Sequence, residues 1–290
     1  MNFDNIYKRI DLKDPKILNI VYPDSPSIFE ALGEAEKKGY IKARLFGRKE
    51  SMKALSDKQG LKNVEFIDCK SPEAAIWAAI ADIRAGKGHA LMKGDISTAA
   101  FLSPVLHKEK GLRKGATLSH VAVCDSPGYH KLLFLTDGAL NIRPDIDKKR
   151  AISENAIELA EKILQRKPKL AFAAVVEKLN PKMPETLEAR KLAEEFTARG
   201  YEAEGPMALD VILNAEAAVK KGIESKISGD VDIIVFPEIT VCNFLLKSII
   251  ELQHAPVGGL VLGAQVPLIL LSRSDRPSEK LNSIVLSLIV

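Results

Sequence analysis

The chain has 290 residues, 46% hydrophobic and 28% charged, with 42 Lys and Arg against 38 Asp and Glu for a formal net charge of +4. This is a globular composition, which excludes a disordered or collagen-like chain. Without a long Lys/Arg run there is no nucleic-acid footprint, although a mild positive balance suits small anionic ligands.

At about 100–200 residues per domain the length fits two domains or one large α/β unit. Residues 1–16 are charged and lack the apolar centre of a signal peptide, and no run of about 18 apolar residues could cross a membrane. Cys69, Cys124 and Cys242 are far apart, with no CxxC or Cys/His zinc spacing, and read as reduced thiols of a cytoplasmic protein.

Residues 17–22 form an apolar, β-branched run stopped by Pro23, and 26–38 read as a helix closed by Gly39. Strands at 43–47 and 64–67 flank a helix near 50–58. Ser71-Pro72-Glu73 opens an Ala-rich helix ending at Gly86 or Gly88, 89–92 is a strand, and Ser97-Thr98 starts a helix after the Lys93-Gly94 turn. Strands 119–124 and 132–136 are joined by Asp125-Ser126-Pro127-Gly128, a hairpin signal. A helix at 145–166, a strand at 170–176 and helices at 184–199 and 215–221 follow. The chain closes with strand 231–236, helix 240–252, strands 257–262 and 268–271, and helix 277–290.

This alternation argues for an α/β fold with a mostly parallel sheet. The hairpin breaks the alternation and is the local candidate for a domain junction. Two domains without a flexible linker imply a cleft between them, the usual place for a small-molecule site.

Ligands of parallel α/β folds bind where strands end and helices begin. In Lys93-Gly94-Asp95-Ile96-Ser97-Thr98, Gly94 allows a tight turn, the new helix offers free N–H groups to an anion, and Lys93 adds positive charge. The same residues serve equally as a capped helix with a surface lysine. Ser272-Arg273-Ser274-Asp275-Arg276-Pro277-Ser278-Glu279 follows a core strand and combines arginines suited to phosphate with a carboxylate in the first helical turn. It too could be only a solvated cap.

The segment 236–243 is a strand-to-helix loop with Thr240 as cap and Cys242 as a small core residue. The segment 204–210 is a Gly-Pro loop ending at Asp210. His120, in strand 119–124, reads as structural. No HExxH, GxSxG or GxGxxG is present.

Six ordered stretches resemble the phosphate acetyltransferase/phosphate butyryltransferase family, the butyryl branch more closely. They are LMKGDISTAAFL (91–102), HKEKGLRKGATLSHVAV (107–123), LTDGALNIRPD (135–145), NPKMPET (180–186), EGPMALD (204–210) and LVLGAQVPLILLSRSDRPSEKLNSI (260–284). The resemblance implies a two-domain, three-layer αβα fold like that of isocitrate and isopropylmalate dehydrogenases. Domain I would be discontinuous, 1–118 with 263–290, and domain II would span 119–262 and form a homodimer. The implied reaction is acyl-CoA + phosphate ⇌ acyl phosphate + CoA, by direct thiolate attack in a ternary complex. No metal or cofactor is implied beyond these substrates, and neither a nucleic-acid nor a membrane partner.

Carried over by motif, Glu279 would deprotonate the thiol, Arg273 would bind phosphate and offset carbonyl charge, and Ser272 would hydrogen-bond the phosphate or leaving oxygen. Lys93, Gly94, Ser97, Thr98 and Asn243 complete the implied phosphate/CoA-binding set. Two positions depart from the pattern. Relatives usually carry Arg or Lys where this chain has Ser103, and Gly where it has Cys242, which would narrow a pocket. The competing reading is a non-catalytic family member that binds CoA esters or acyl phosphates. A metal-dependent dehydrogenase of the same fold would need an Asp cluster that the sequence lacks.

Overall fold

The computed structural model describes residues 1–290 except Ala116, Arg273 and Ser274. The elements in chain order begin with α1 (Phe3–Tyr7), β1 (Lys16–Val21), α2 (Pro26–Lys37), β2 (Ile41–Gly47), α3 (Lys49–Gln59), β3 (Val64–Asp68), α4 (Pro72–Arg84), β4 (Ala90–Lys93) and α5 (Thr98–Val105). They continue with β5 (Ser119–Cys124), β6 (Leu133–Thr136), α6 (Ile146–Leu164), β7 (Leu170–Ala173), α7 (Pro184–Ala198), β8 (Ala203–Met207), α8 (Leu209–Leu213) and α9 (Ala215–Lys220). The last are β9 (Ile233–Val235), α10 (Ile239–Gln253), β10 (Val257–Leu262), β11 (Leu268–Ile269) and α11 (Pro277–Ser287).

The chain forms two units, a terminal one (Asp4–Ala116 with Gly258–Val290) and a middle one (Thr117–Val257 with Met1–Phe3).

In the terminal unit the strand order is β3-β2-β1-β4-β11-β10, parallel except that β10 runs against β11. From β1 the chain winds outward to β2 and β3, then crosses back to place β4 on the other side of β1. The carboxyl ends of β1 and β4 therefore flank the point where strand order reverses, and their loops diverge there. Every residue of β4 is buried, as a central parallel strand requires. Ser71 caps α4 by accepting the Ala74 N–H at 3.1 Å, with Pro72 in the first turn. Helix α11 is buried at every residue from Glu279 to Ser287. It packs on α2 and so closely on β10 that a Cβ on Gly258 would lie 2.8 Å from Leu286 Cδ1.

The middle unit has the order β5-β6-β9-β7-β8. The hairpin is present, with β5 antiparallel to β6 and Val121 opposite Thr136, and the remaining pairs are parallel. Asp145 caps α6 by accepting the Lys148 N–H at 2.9 Å. The Gly-Pro segment expected as a loop is instead strand β8. It lies at the sheet edge, where a proline costs no ladder hydrogen bond. Gly205 is needed there because a Cβ would sit 2.8 Å from Phe172 Cβ and 2.9 Å from the Ala189 carbonyl oxygen. The expected strands 170–176 and 268–271 stop at Ala173 and Ile269, and the last helix stops at Ser287.

At the amino end of β9, Asp232 is fully buried and meets the Arg166 guanidinium through two hydrogen bonds of 2.7 and 2.8 Å. Lys131 Nζ lies 2.9 Å away, and the Lys169 N–H donates at 2.8 Å. Asp230 pairs with Lys131 at 2.7 Å, Lys169 at 2.9 Å and His130 at 3.1 Å. Burial alone would raise both carboxyls, but these partners hold both below the ordinary carboxylate range.

Candidate active site

The loop after β4 is tied to the loop after β1 by main chain. The Gly94 N–H donates to the Val21 carbonyl at 2.8 Å, and the Asp95 N–H to the Tyr22 carbonyl at 2.9 Å. Gly94 is obligatory, since a Cβ would run into the carbonyl oxygens of Val21 and Tyr22. The Asp95 carboxylate accepts the Asp24 N–H at 2.7 Å, a further tie between the loops. Asp24 is itself held by Ser51 and Arg48, which keep its carboxyl below the usual range.

Lys93 is buried, and its Nζ donates to the carbonyls of Gly94 at 3.1 Å and Ile96 at 3.2 Å. Ser97 caps α5 by accepting the Ala100 N–H at 3.1 Å. Ser97 and Thr98 are exposed at that helix start. The structure thus realises the capped helix and the cationic loop in the same residues.

β11 pairs with β4 in parallel register, Leu268 beside Leu91 and Ile269 beside Met92, so the loop after β11 leaves from the neighbouring strand end. There the exposed Ser272 forms a turn with Asp275. Its N–H donates to the Asp275 carboxylate at 2.7 Å, and its carbonyl accepts the Asp275 N–H at 3.2 Å. Glu279 is buried in the first turn of α11 and accepts the Arg276 N–H at 2.9 Å, the carboxylate half of a capping box. The structure brings Lys93, Gly94, Ser97, Thr98, Ser272 and Glu279 to two adjacent strand ends of the terminal unit. Arg273 lies outside the described residues.

Asn243 belongs to the middle unit. It lies in the first turns of α10, and its Nδ2 donates to the Gly138 carbonyl at 2.9 Å. The residue to which it holds the chain follows Asp137, a buried carboxylate that accepts N–H groups from Ala139 at 2.9 Å, Leu140 at 3.1 Å and Asn141 at 3.2 Å. The Asn141 side-chain amide reaches the same carboxylate at 2.6 Å and the Leu118 carbonyl at 2.8 Å. His120 is half-buried in β5, and its carbonyl accepts the Thr136 hydroxyl at 2.9 Å.

The family model described as "Phosphate acetyl/butaryl transferase" matches residues 47–288. A phosphate butyryltransferase of Clostridium acetobutylicum is 34% identical, over 100% of this chain and 98% of the relative. A phosphate acetyltransferase of Rhizobium meliloti is 37% identical, over 97% of this chain and 90% of the relative. The crystal structure of a branched-chain phosphotransacylase from Enterococcus faecalis superposes with a TM-score of 0.85 at 31% identity, covering 94% of this chain and 98% of the other.

The chain belongs to the phosphate acetyl/butyryl transferase family.

A 4-hydroxythreonine-4-phosphate dehydrogenase from Burkholderia phymatum, 13% identical, shares the fold with a TM-score of 0.60 over 95% of this chain and 98% of the other, in keeping with a dehydrogenase-like architecture. As a family member the chain is an acyltransferase. Its two departures from the family pattern sit differently. Ser103 is half-buried in α5, immediately before Pro104. Cys242 lies in helix α10 and not in a loop, fully buried in the middle-unit core. Its sulfur would be 3.1 Å from a Cβ on Gly138, so it fills space beneath that glycine. Thr240 is not the cap expected, because α10 starts one residue earlier, after Glu238.

Burial pushes the Cys124 thiol up to about 12 and the Cys242 thiol well above its ordinary value; burial, with Asp68 nearby, also raises Cys69. None of the three is poised as a thiolate nucleophile. Two residues beside the site were not singled out by sequence reasoning. Asp137 lies inside a matching motif but has no catalytic spacing. Lys280, next to Glu279, is 2% exposed and has no pattern signal beyond the lack of charge in residues 281–290.

Proposed function

We propose that the chain transfers a short-chain acyl group reversibly between coenzyme A and inorganic phosphate, in a ternary complex without an acyl-enzyme. The observation that carries this reading is the pairing of the Lys93–Thr98 and Ser272–Glu279 loops at neighbouring strand ends, where strand order reverses, in a chain of this family.

In the direction of acyl-CoA formation, Glu279 accepts the proton of the CoA thiol, whose ordinary pKa is about 8.5. The sulfur's electron pair forms the S–C bond to the acyl carbon, the C–O bond to phosphate breaks, and phosphate departs with that pair. Ser272 hydrogen-bonds the departing phosphate oxygen. Arg273 grips phosphate bidentately and offsets charge on the carbonyl oxygen. Lys93 and the amides at the start of α5, with Ser97 and Thr98, hold phosphate through positive charge and free N–H groups. Asn243 contributes to phosphate or CoA binding from the middle unit. Raised thiols at all three cysteines favour direct transfer over a cysteine acyl-enzyme.

No cofactor or metal enters this scheme. The protein works in the cytoplasm; none of its described helices is long and apolar enough to cross a membrane. It is a homodimer pairing through the middle unit, a reading supported by Phe244 and Val175, 71% and 75% exposed on that unit.

A thiol-release assay with acetyl-, propionyl-, butyryl- and isobutyryl-CoA at varied phosphate tests the function. Phosphate-dependent release that survives EDTA is expected. Absence of release with all four esters from a folded protein that still binds CoA would favour the non-catalytic reading, and activity restored only by magnesium would overturn the mechanism.

A further inference from the structure

Lys280 is unusual on three counts. It is 2% exposed, whereas lysines are rarely fully buried. It stands in the first turn of α11, where the helix dipole disfavours a cation. Its Nζ also turns back past the helix start to donate to the Asp275 carbonyl. Asp275 is the residue that fixes Ser272, through its carboxylate on the Ser272 N–H and its own N–H on the Ser272 carbonyl. Charged groups face Lys280 from three elements: Asp275 and Glu279 from the loop after β11 and the start of α11, Asp95 from the loop after β4, and Glu30 from α2. The ammonium is therefore the common countercharge of the two loops assigned above to phosphate.

We infer that Lys280 is a positioning residue for phosphate acyl transfer: its buried ammonium holds the Ser272–Asp275 turn in register with the Gly94–Asp95 loop. This rests on the acyltransferase reading of that site. Burial lowers the proton affinity of Lys280 below the ordinary lysine range, and the four carboxylates oppose this only in part. The positioning charge is accordingly lost at a pH where surface lysines remain protonated.

The test is Lys280→Met, of similar length and uncharged. Its kcat/KM for phosphate at neutral pH should fall by about tenfold or more, as expected for misplaced reacting groups. The KM for acyl-CoA should stay within about twofold. The alkaline fall in kcat/KM for phosphate seen with wild type should disappear. Amide exchange in a peptide covering 270–276 should quicken while middle-unit peptides are unchanged. A folded Lys280→Met with wild-type phosphate kinetics, or with unaltered exchange in that peptide, overturns the proposal. Should Lys280→Met fail to fold, Glu30→Gln removes one exposed facing carboxylate and should move the alkaline limb to lower pH at unchanged neutral activity; an unmoved limb overturns it equally. If wild type lacks acyl transfer altogether, the functional reading fails and amide exchange alone still decides the role of Lys280.

Discussion

Both units bury charge, with opposite outcomes. Around Asp232 the direct partners are full cations, and together they outweigh burial, so Asp230 and Asp232 hold their charge more firmly than free carboxylates. At Lys280 the direct partner is a neutral carbonyl, four carboxylates act less directly, and burial wins. Depth does not separate the two, since both residues are nearly inaccessible. Partner chemistry does. A carboxylate clamped by cations acts as a fastening, while an under-compensated ammonium is a group whose charge state is easily changed. The first lies at the amino end of β9, away from the strand ends where ligands bind; the second lies among the loops assigned to phosphate.

The sharpest way to break this contrast is Asp232→Asn. It leaves Arg166 and Lys131 facing a neutral amide, and losing one member of a buried pair costs about 3 kcal/mol or more. Urea denaturation should show a lower midpoint at unchanged slope, with full activity per folded molecule. A loss under about 1 kcal/mol would show the cluster to be no fastening. The pH dependence has a definite sign. The folded pKa values of Asp230 and Asp232 lie below the unfolded ones. Their stabilisation is therefore complete above the ordinary carboxylate range and is lost as pH falls through that range toward the lowered folded values. Lys280 runs the other way. Its folded pKa lies below the unfolded one, so stability rises with pH between the two. An alkaline fall in activity that accompanies rising stability cannot be unfolding.

Glu279→Gln comes next in size. Glutamine still accepts the Arg276 N–H in a capping box, so the melting temperature should hold. Loss of the proton acceptor should lower kcat about 100-fold. A variant within about threefold of wild type would make Glu279 a cap and nothing more. Arg273→Lys is the smallest effect. It keeps charge but loses the bidentate fork, and should cost about tenfold in kcat/KM for phosphate, or ~1.4 kcal/mol. Unchanged phosphate kinetics would remove Arg273 from the site.

Much of the fold was legible because alternation and caps are local. Ser71 and Ser97 both cap the helices expected of them, and the hairpin turn at 125–128 joins antiparallel strands. Strand β8 was not legible, because Gly205-Pro206 signals a loop unless the strand is known to lie at an edge. The loops after β4 and β11 could be named one by one from Lys93, Gly94, Ser272 and Glu279, but their adjacency could not. It depends on β11 pairing with β4 across more than 160 residues of intervening chain. Lys280 escaped notice for a related reason. On paper it is a polar residue opening an amphipathic helix, whereas α11 is enclosed on all sides.

The main-chain bonds from Gly94 and Asp95 to Val21 and Tyr22 make the course of that loop a property of sheet register. A chain that keeps β1 and β4 in step keeps the amides at 95–98 in place, whatever side chains those residues carry. Positions 95–98 are therefore open to exchange, and variants there can alter which anion is preferred without rebuilding the loop. A single residue inserted into β1 would do the opposite, sliding the loop off its carbonyl partners while leaving every one of its side chains intact.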